Sequence, residues 1–504
     1  MHGSRRPHLR NILQLATSLA AVALVVATVV LTCSEPAHAL PAFARKYGLR
    51  CSACHETWPV LNNFGLKFRD NGYQLMNDRD APIWQNASYW PVTFRITPSW
   101  HRVSSLASLD SYTNISVSNP NGTPVISRIS SSGFDHGGLD FHVAGTLEKN
   151  ISFYVLPSSD STGAFHFETV MARFDNLLKT PWLNVKVGRF ELNNLLSEKR
   201  MVQLTGNGAE YQTYHFMPVG DGNIYGQMGD NQLGVEYMGH SANDRTRVSA
   251  ALISSSDGNE NLLTGANSYS GFFTFDQGID LGKLGVDRLG VYAFAGEAAT
   301  YYRTSAGVPI PGSGIGNKGF SRVGFTGQFY FGHHFDLNVV TQHGEDNVWF
   351  GQGFGNTINA NGGVPGCPGT CLPNNTPGTT LNPGSQAPTW NGYTFEARYL
   401  YSPQLAFIGV YEAERMSRQA DGSAYVGTNP GSGLTGPSPS NLGNINNYTF
   451  LIRYNPIMTS RAGLAIQTEY NVFHQNGTGP TSPVTGRNVN TNTSEFMVGF
   501  DFDF

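Results

Sequence analysis

The residues best suited to do chemistry in this 504-residue chain are consecutive: Cys51-Ser52-Ala53-Cys54-His55. Two thiols flanking two residues, with an imidazole directly after, form C-x-x-C-H, the pattern to which c-type haem is covalently attached. Thioethers to the two vinyl groups pin the porphyrin to one turn of chain, and the imidazole of His55 then reaches the iron as proximal ligand. Two other chemistries also use paired cysteines. A dithiol redox site belongs in a βαβ context, which is absent here. A tetrahedral zinc site needs two further ligands at matching spacing, also absent. A single motif predicts a single haem c.

The residues that follow predict a small helix covering the haem. Trp58, Leu61, Phe64 and Phe68 recur at helical spacing, on one face with His55. A stripe of this kind also serves as ordinary core. Asn71-Gly72 reads as the helix stop. Met76, beyond that turn, is the candidate distal ligand, and its thioether would raise the potential. His101 is the nitrogen alternative, and a residue of the larger domain is a third source.

Attachment of haem c needs an exported location, and the N-terminus predicts one. Arg5, Arg6 and Arg10 precede an uncharged, mostly apolar stretch from Leu15 to Leu31. Ala37-His38-Ala39 then fits a cleavage site, so residues 1–39 read as a signal peptide. A retained membrane helix is the competing reading, for which the stretch is slightly short. Removal of the leader takes Cys33 with it and leaves Cys51, Cys54, Cys367 and Cys371. In an oxidising compartment Cys367 and Cys371 are expected to close a small loop disulfide.

No later run is apolar enough for a transmembrane helix, so a membrane span would have to be built from strands. Composition agrees. Charged residues make up 13% of the chain, and it holds 58 Gly and 31 Phe. The near balance of 32 Lys plus Arg against 36 Asp plus Glu gives no basic excess for nucleic acid. From about residue 90 the chain alternates apolar and polar residues between Gly, Asn, Ser and Pro breaks. Phe496, Val498, Phe500, Phe502 and Phe504 share one face of the last run, with Asp501 and Asp503 on the other. That period of two, aromatic outside and charged inside, predicts an all-β transmembrane barrel. Sixteen candidate strands run from 91–102 to 492–504, joined by alternating short and long connections. A soluble sandwich or propeller would need dry inner faces or blade repeats. The expected domains are 1–39 leader, 40–89 haem-bearing plug and 90–504 barrel. The long connections include 103–134, 193–230 and 352–388. The second holds Met201, His215, Met217 and Met228, and could fold into the lumen.

The segment from Ala44 to Phe68, ARKYGLRCSACHETWPVLNNFGLKF, followed by a barrel, resembles the fused monohaem cytochrome c–porin family of Gram-negative outer membranes. Its best-known members are outer-membrane Fe(II)-oxidising cytochromes. The motif-level match covers 41–75, with Pro59, Leu61, Asn62, Phe64 and Gly65 also matching the pattern. The resemblance implies haem attachment at Cys51 and Cys54 and proximal ligation by His55. It also implies a haem held in the lumen, near mid-height, as a one-electron relay. The expected partners are outer-membrane lipid, periplasmic electron carriers (cytochrome c or copper protein) and an extracellular donor such as Fe(II). Outer-loop carboxylates such as Asp257 and Glu260 could meet that donor. Two other functions fit the same parts: a solute-conducting porin with a haem sensor or gate, and outward electron transfer to an external acceptor. No catalytic triad, Walker loop or H-E-x-x-H motif appears, which sets aside hydrolases and nucleotide enzymes.

Overall fold

The structure is a computed structural model. It describes residues 41–57, 60–75, 91–108, 126–135, 137–159, 163–196, 212–215, 228, 231–254, 269–303, 309–346, 389–416, 444–459, 462–476 and 489–504. The expected leader, Trp58, Met76, Met201, Met217, Asp257, Glu260, Cys367 and Cys371 lie outside the described residues, as do the side chains of Cys51 and His215.

Sixteen antiparallel strands close into one barrel. The first, β1, runs through Val92–Ile96 and Ser99–Ser108, broken at Thr97-Pro98 because proline has no N–H for the ladder. Both parts keep one register against the last strand. The second, β2, likewise joins Ile126–Asp135 to Leu139–Glu148. Then follow β3 (Ile151–Ser159), β4 (Phe165–Phe174), β5 (Asn184–Phe190), β6 (Gln232–His240), β7 (Thr246–Ser254) and β8 (Tyr269–Asp280). The remainder are β9 (Val286–Arg303), β10 (Pro309–Tyr330), β11 (Phe335–Asp346), β12 (Thr389–Ser402), β13 (Leu405–Met416), β14 (Ile445–Met458), β15 (Gly463–Gln475) and β16 (Thr491–Asp503). Each pairs with its neighbours in sequence, and β16 returns to β1. Phe94 and Phe504 seal the seam by exchanging backbone hydrogen bonds of 2.9 Å each way. Arg95 adds an ion pair to Asp501 at 2.9 Å.

The alternation expected from sequence sets the two faces. On β8, Phe273 and Phe275 face outward, while Phe272, Thr274 and Asp276 are buried inside. On β16, Phe496 and Phe500 are outside and Glu495, Met497 and Asp501 inside. Tight turns such as Lys149-Asn150 and Pro403-Gln404 gather at one end, where Asn150 takes a positive φ of 66°. The longer connections leave from the other end.

Two expectations about strand length need correction. Residues 103–108 and 126–134 continue the ladder instead of forming a loop. Strand β10, expected over 318–331, begins earlier, at Pro309, and pairs with β9 along that extension, whereas β9 ends at Arg303 as expected. In the first case serines fill both faces, so the pairing persists without hydrophobic alternation to reveal it.

An outward charge at mid-strand should be costly in lipid and harmless inside. Val291→Arg, on the outer face of β9, is expected to destabilise the barrel by about 2–4 kcal/mol in bilayers. Equilibrium denaturant unfolding in lipid vesicles checks this. A change below about 0.5 kcal/mol would argue against lipid around this face.

Candidate lumen site around the C-x-x-C-H segment

The N-terminal segment lies inside the barrel. It comprises α1 (Pro41–Tyr47), α2 (Cys51–Cys54), a short antiparallel pair (His55–Thr57 with Val60–Leu61) and α3 (Asn63–Asp70). One residue ties the motif to α3. Asn62 caps the helix through its Oδ1, which accepts from Gly65 N at 2.9 Å. Its Nδ2 donates to the carbonyls of Ser52 and Ala53, at 3.3 and 3.1 Å, and its backbone N donates to Cys54 O at 2.9 Å. Gly65 is required by the same contact, since a Cβ there would lie 2.1 Å from Cys54 O. These are two of the residues in the family-like pattern, and their role is to hold the cysteine turn against the helix.

The expected aromatic stripe divides between two environments. Leu61 belongs to the short strand before α3. Phe64 is 44% exposed and lines a cavity. Phe68 is buried in a separate aromatic group with Phe43, Tyr47 and Tyr73, stacking edge-on at 5.4 Å from Phe43. His55 precedes the helix rather than sharing its face. The helix does stop at Asn71-Gly72, as expected.

Inward-facing arginines of the short-turn half hold this segment. Arg173 of β4 donates to the carbonyl oxygens of Arg69, at 2.7 Å, and of Asp70, so it satisfies carbonyls left open at the end of α3. Arg247 of β7 pairs with the Asp70 carboxylate at 2.7 Å and with Asp244 at 2.7 Å. Arg288 of β9 reaches Asn63 at 3.4 Å. Arg398 of β12 meets Asp336 at 2.6 Å, Glu396 at 3.2 Å and Glu56 at 3.6 Å. Lys46 donates to Thr146 at 3.2 Å, and Val60 packs on Ala406, Ile408, Val410 and Leu451.

Electrostatics follow from this burial. Burial alone would raise the Asp70 carboxyl, but Arg247 and Arg69, with His240 and Arg173, hold it well below the usual carboxylate range. Burial pushes the Glu56 carboxyl up to about 8, against the pull of Arg398 and with Asp336 reinforcing the rise. Burial also pushes the Cys54 thiol up to about 11, opposite to the lowered values of redox-active C-x-x-C pairs.

A cavity of about 610 Å³ opens beside the motif, a volume typical of cofactor sites. From the plug it is bordered by Ser52, His55, Asn63 and Phe64. From the barrel it is bordered by the tight turns at Gly332–His334 and Ser402-Pro403. It therefore sits at the short-turn rim. His101 does not border it. That residue lies on β1, 4.0 Å from Glu495. The rim histidines His333 and His334 were not singled out by the sequence, because a four-residue turn carries no periodic pattern.

In the opposite half of the lumen another inward segment packs against the wall at its described residues. Leu192, Leu195, Leu196, Tyr214 and Met228 pack on inward Phe272, Phe294 and Phe320. Thr213, in the helix Gln212–His215, bonds Thr394 at 2.8 Å and Glu414 at 3.1 Å, and its carbonyl accepts from Gln342 at 2.7 Å. The 193–230 connection thus enters the barrel at its described residues.

No family model and no curated protein sequence matches the chain. Among solved structures it is similar to the outer membrane channel DcaP of Acinetobacter baumannii, with 11% identity, a TM-score of 0.45, and coverage of 81% of this chain and 96% of that one. It is similar also to an anion-selective porin from Comamonas acidovorans, with 10% identity, a TM-score of 0.44, and coverage of 82% and 98%. A third is OprB of Pseudomonas putida, with 10% identity, a TM-score of 0.42, and coverage of 82% and 94%.

Two substitutions test the seating of the plug. Gly65→Ala should force α3 off the cysteine turn at about 1–3 kcal/mol, the range for overpacking. Asp70→Asn should cost about 1–3 kcal/mol, because buried Arg247 loses one carboxylate partner and keeps Asp244. Hydrogen exchange across 60–75 measures both. The folded pKa of Asp70 is depressed, so its stabilisation is complete above the unfolded value near about 3.9 and is lost as pH falls below it. Exchange in 60–75 should therefore quicken on acidification in the native protein, with that dependence weakened in Asp70→Asn.

Proposed function

We propose that the chain is an outer-membrane cytochrome–porin that carries single electrons across the membrane through one covalent haem c. The observation that carries this reading is the position of the C-x-x-C-H segment within a closed barrel whose exterior is apolar. A barrel with lipid around it insulates whatever its lumen holds, and its occupied lumen favours electrons over solutes. The leader-like N-terminus supports export, and the outward aromatic residues support an outer-membrane location.

The residues around the motif fit the group. His55 borders a cavity of cofactor size, and Asn62 fixes three carbonyl oxygens of the motif turn. Cys51 and Cys54 would hold the porphyrin and His55 the iron. When bound, a c-type haem supplies a one-electron centre able to accept from a donor such as Fe(II) and to serve a periplasmic cytochrome c or copper protein. The chain's own residues do the rest. Asn62 and Gly65 keep the cysteine turn rigid. Phe64 gives the cavity an apolar wall on the plug side. Arg398 fixes the strand that follows His55 by holding Glu56. The apolar group around Tyr214 excludes solute from the long-loop half. With short turns facing the periplasm, the cavity lies on the side where soluble carriers dock, and Fe(II) is the external donor in this reading.

Visible spectra of the purified protein in detergent test the proposal: oxidised, then with Fe(II), then with a strong reductant. A reduced haem c band is expected on adding Fe(II), and no covalent haem in Cys51→Ser/Cys54→Ser. A band that needs the strong reductant would retain the conduit and eliminate Fe(II) as donor. Large steady conductance in planar bilayers, with haem attached, would favour a solute porin instead.

A further inference from the structure

The outward face of the barrel is largely apolar, but one sector of it changes character. We propose that the outward face of β1 and of the Ile126–Asp135 part of β2 binds the phosphate of a membrane lipid headgroup, held by Arg102 and Arg128. The patch lies on the outside of the wall, in the long-loop half, and needs no haem.

Register fixes where these side chains point. Across β1 and β2, Trp100 pairs with Phe134, Arg102 with Ser132, Ser104 with Ser130 and Leu106 with Arg128. On the other side Trp100, Arg102 and Ser104 pair with Val498, Phe496 and Ser494 of β16. Phe496 is outside, so its partner Arg102 is outside as well. Towards the long-loop end the chemistry changes within one step. Below are aromatic rings: Phe134 is 90% exposed, and Trp100 stands edge-on to Phe496 with centroids 6.3 Å apart. From Arg102 upward the outward positions carry guanidinium and hydroxyl groups. Aromatic rings beneath cations mark the boundary between acyl chains and headgroups.

The two guanidinium groups are brought together. Arg128 Nη1 donates to Ser104 O at 3.3 Å and lies 3.4 Å from Ser104 Oγ. Ser104 and Arg102 are successive outward positions of one strand, about 7 Å apart. Arg102 is exposed and makes no hydrogen bond or ion pair among the described residues. No carboxylate on this sector is available to it. Glu469, Glu495, Asp501 and Asp503 of β15 and β16 are all buried on the inner face. Arg415, outward on β13 at the same end, differs: it is occupied by Ile445 O at 2.5 Å and Asn446 Oδ1 at 2.6 Å.

Like charges held at neighbouring positions repel, and an anion between them reverses the sign. A phosphate presents several acceptor oxygens to two planar donor forks, and the serine hydroxyls can bond the rest of a polar headgroup. A lipid fits better than a soluble anion because the apolar surface is continuous with the patch. Acyl chains would lie on Phe134, Trp100 and Phe496 while the phosphate reaches the arginines.

The test uses the full-length protein in detergent, with diphosphoryl lipid A as probe and native mass spectrometry as readout. Wild type should bind the lipid, and excess inorganic phosphate should not displace it. Arg102→Gln/Arg128→Gln should bind about tenfold more weakly. Lys149→Gln/Lys179→Gln removes the same charge at the short-turn end and should bind as wild type. Arg102→Lys/Arg128→Lys keeps the charge and should retain most of the binding, which separates loss of charge from loss of fold. Equal affinity in wild type and Arg102→Gln/Arg128→Gln would overturn the proposal. So would an equal loss in Lys149→Gln/Lys179→Gln, or displacement of the lipid by inorganic phosphate.

Discussion

Charge turned inward by a closed barrel must find a partner there, and this requirement organises the molecule. The strands alternate, so every outward aromatic brings an inward neighbour, and in the short-turn half many of those neighbours are arginine or aspartate. A buried guanidinium without acceptors costs several kcal/mol. Arg173, Arg247, Arg288 and Arg398 find part of their acceptors in the N-terminal segment: two carbonyls, the Asp70 carboxylate, Asn63 and Glu56. The plug is therefore held by the wall's electrostatics as much as by apolar packing. Because α3 is fixed at its end by Arg173 and Arg247, Asn62 at its start is fixed as well, and with it the cysteine turn.

The lumen is built in two chemically different halves. The short-turn half is ionic and holds the motif segment. The long-loop half is apolar, with Tyr214, Tyr292, Phe272, Phe294 and Phe320 around the 190–228 connection. Between them lies a layer of neutral and acidic groups, in which Thr213 bridges Thr394 and Glu414. The asymmetry sets the cavity near the short-turn rim.

Much of the barrel was legible in the sequence because period-two burial leaves a direct trace. The Phe496-to-Phe504 run and the short breaks at Lys149-Asn150 and Pro403-Gln404 fixed strand count and direction. Where that trace fades, so did the reading. Ser104, Ser105 and Ser130–Ser132 pair without alternation, so the ends of β1 and β2 passed for loop. The Asn71-Gly72 stop is local, and α3 ends there as expected. The stripe of Leu61, Phe64 and Phe68 misled because its residues serve different neighbours: the short strand pair, the cavity and the aromatic group at Phe43. Asn62 and Gly65 were visible only as matches to a pattern. Their hydrogen bonds and close approach give the physical reason.

The cavity was the hardest feature to find, and the reason is general. A site between an inserted segment and a wall takes residues from segments far apart in sequence, here Ser52 to Phe64 against Gly332 to Pro403. Neither half borders it alone, so no spacing rule reveals it. Its wall is stiff because a tight turn between paired strands is tied to the next strand, with Leu400 N donating to His334 O at 2.7 Å. The inserted side is held as firmly, since Asn62 joins the cysteine turn to α3 through both its amide atoms.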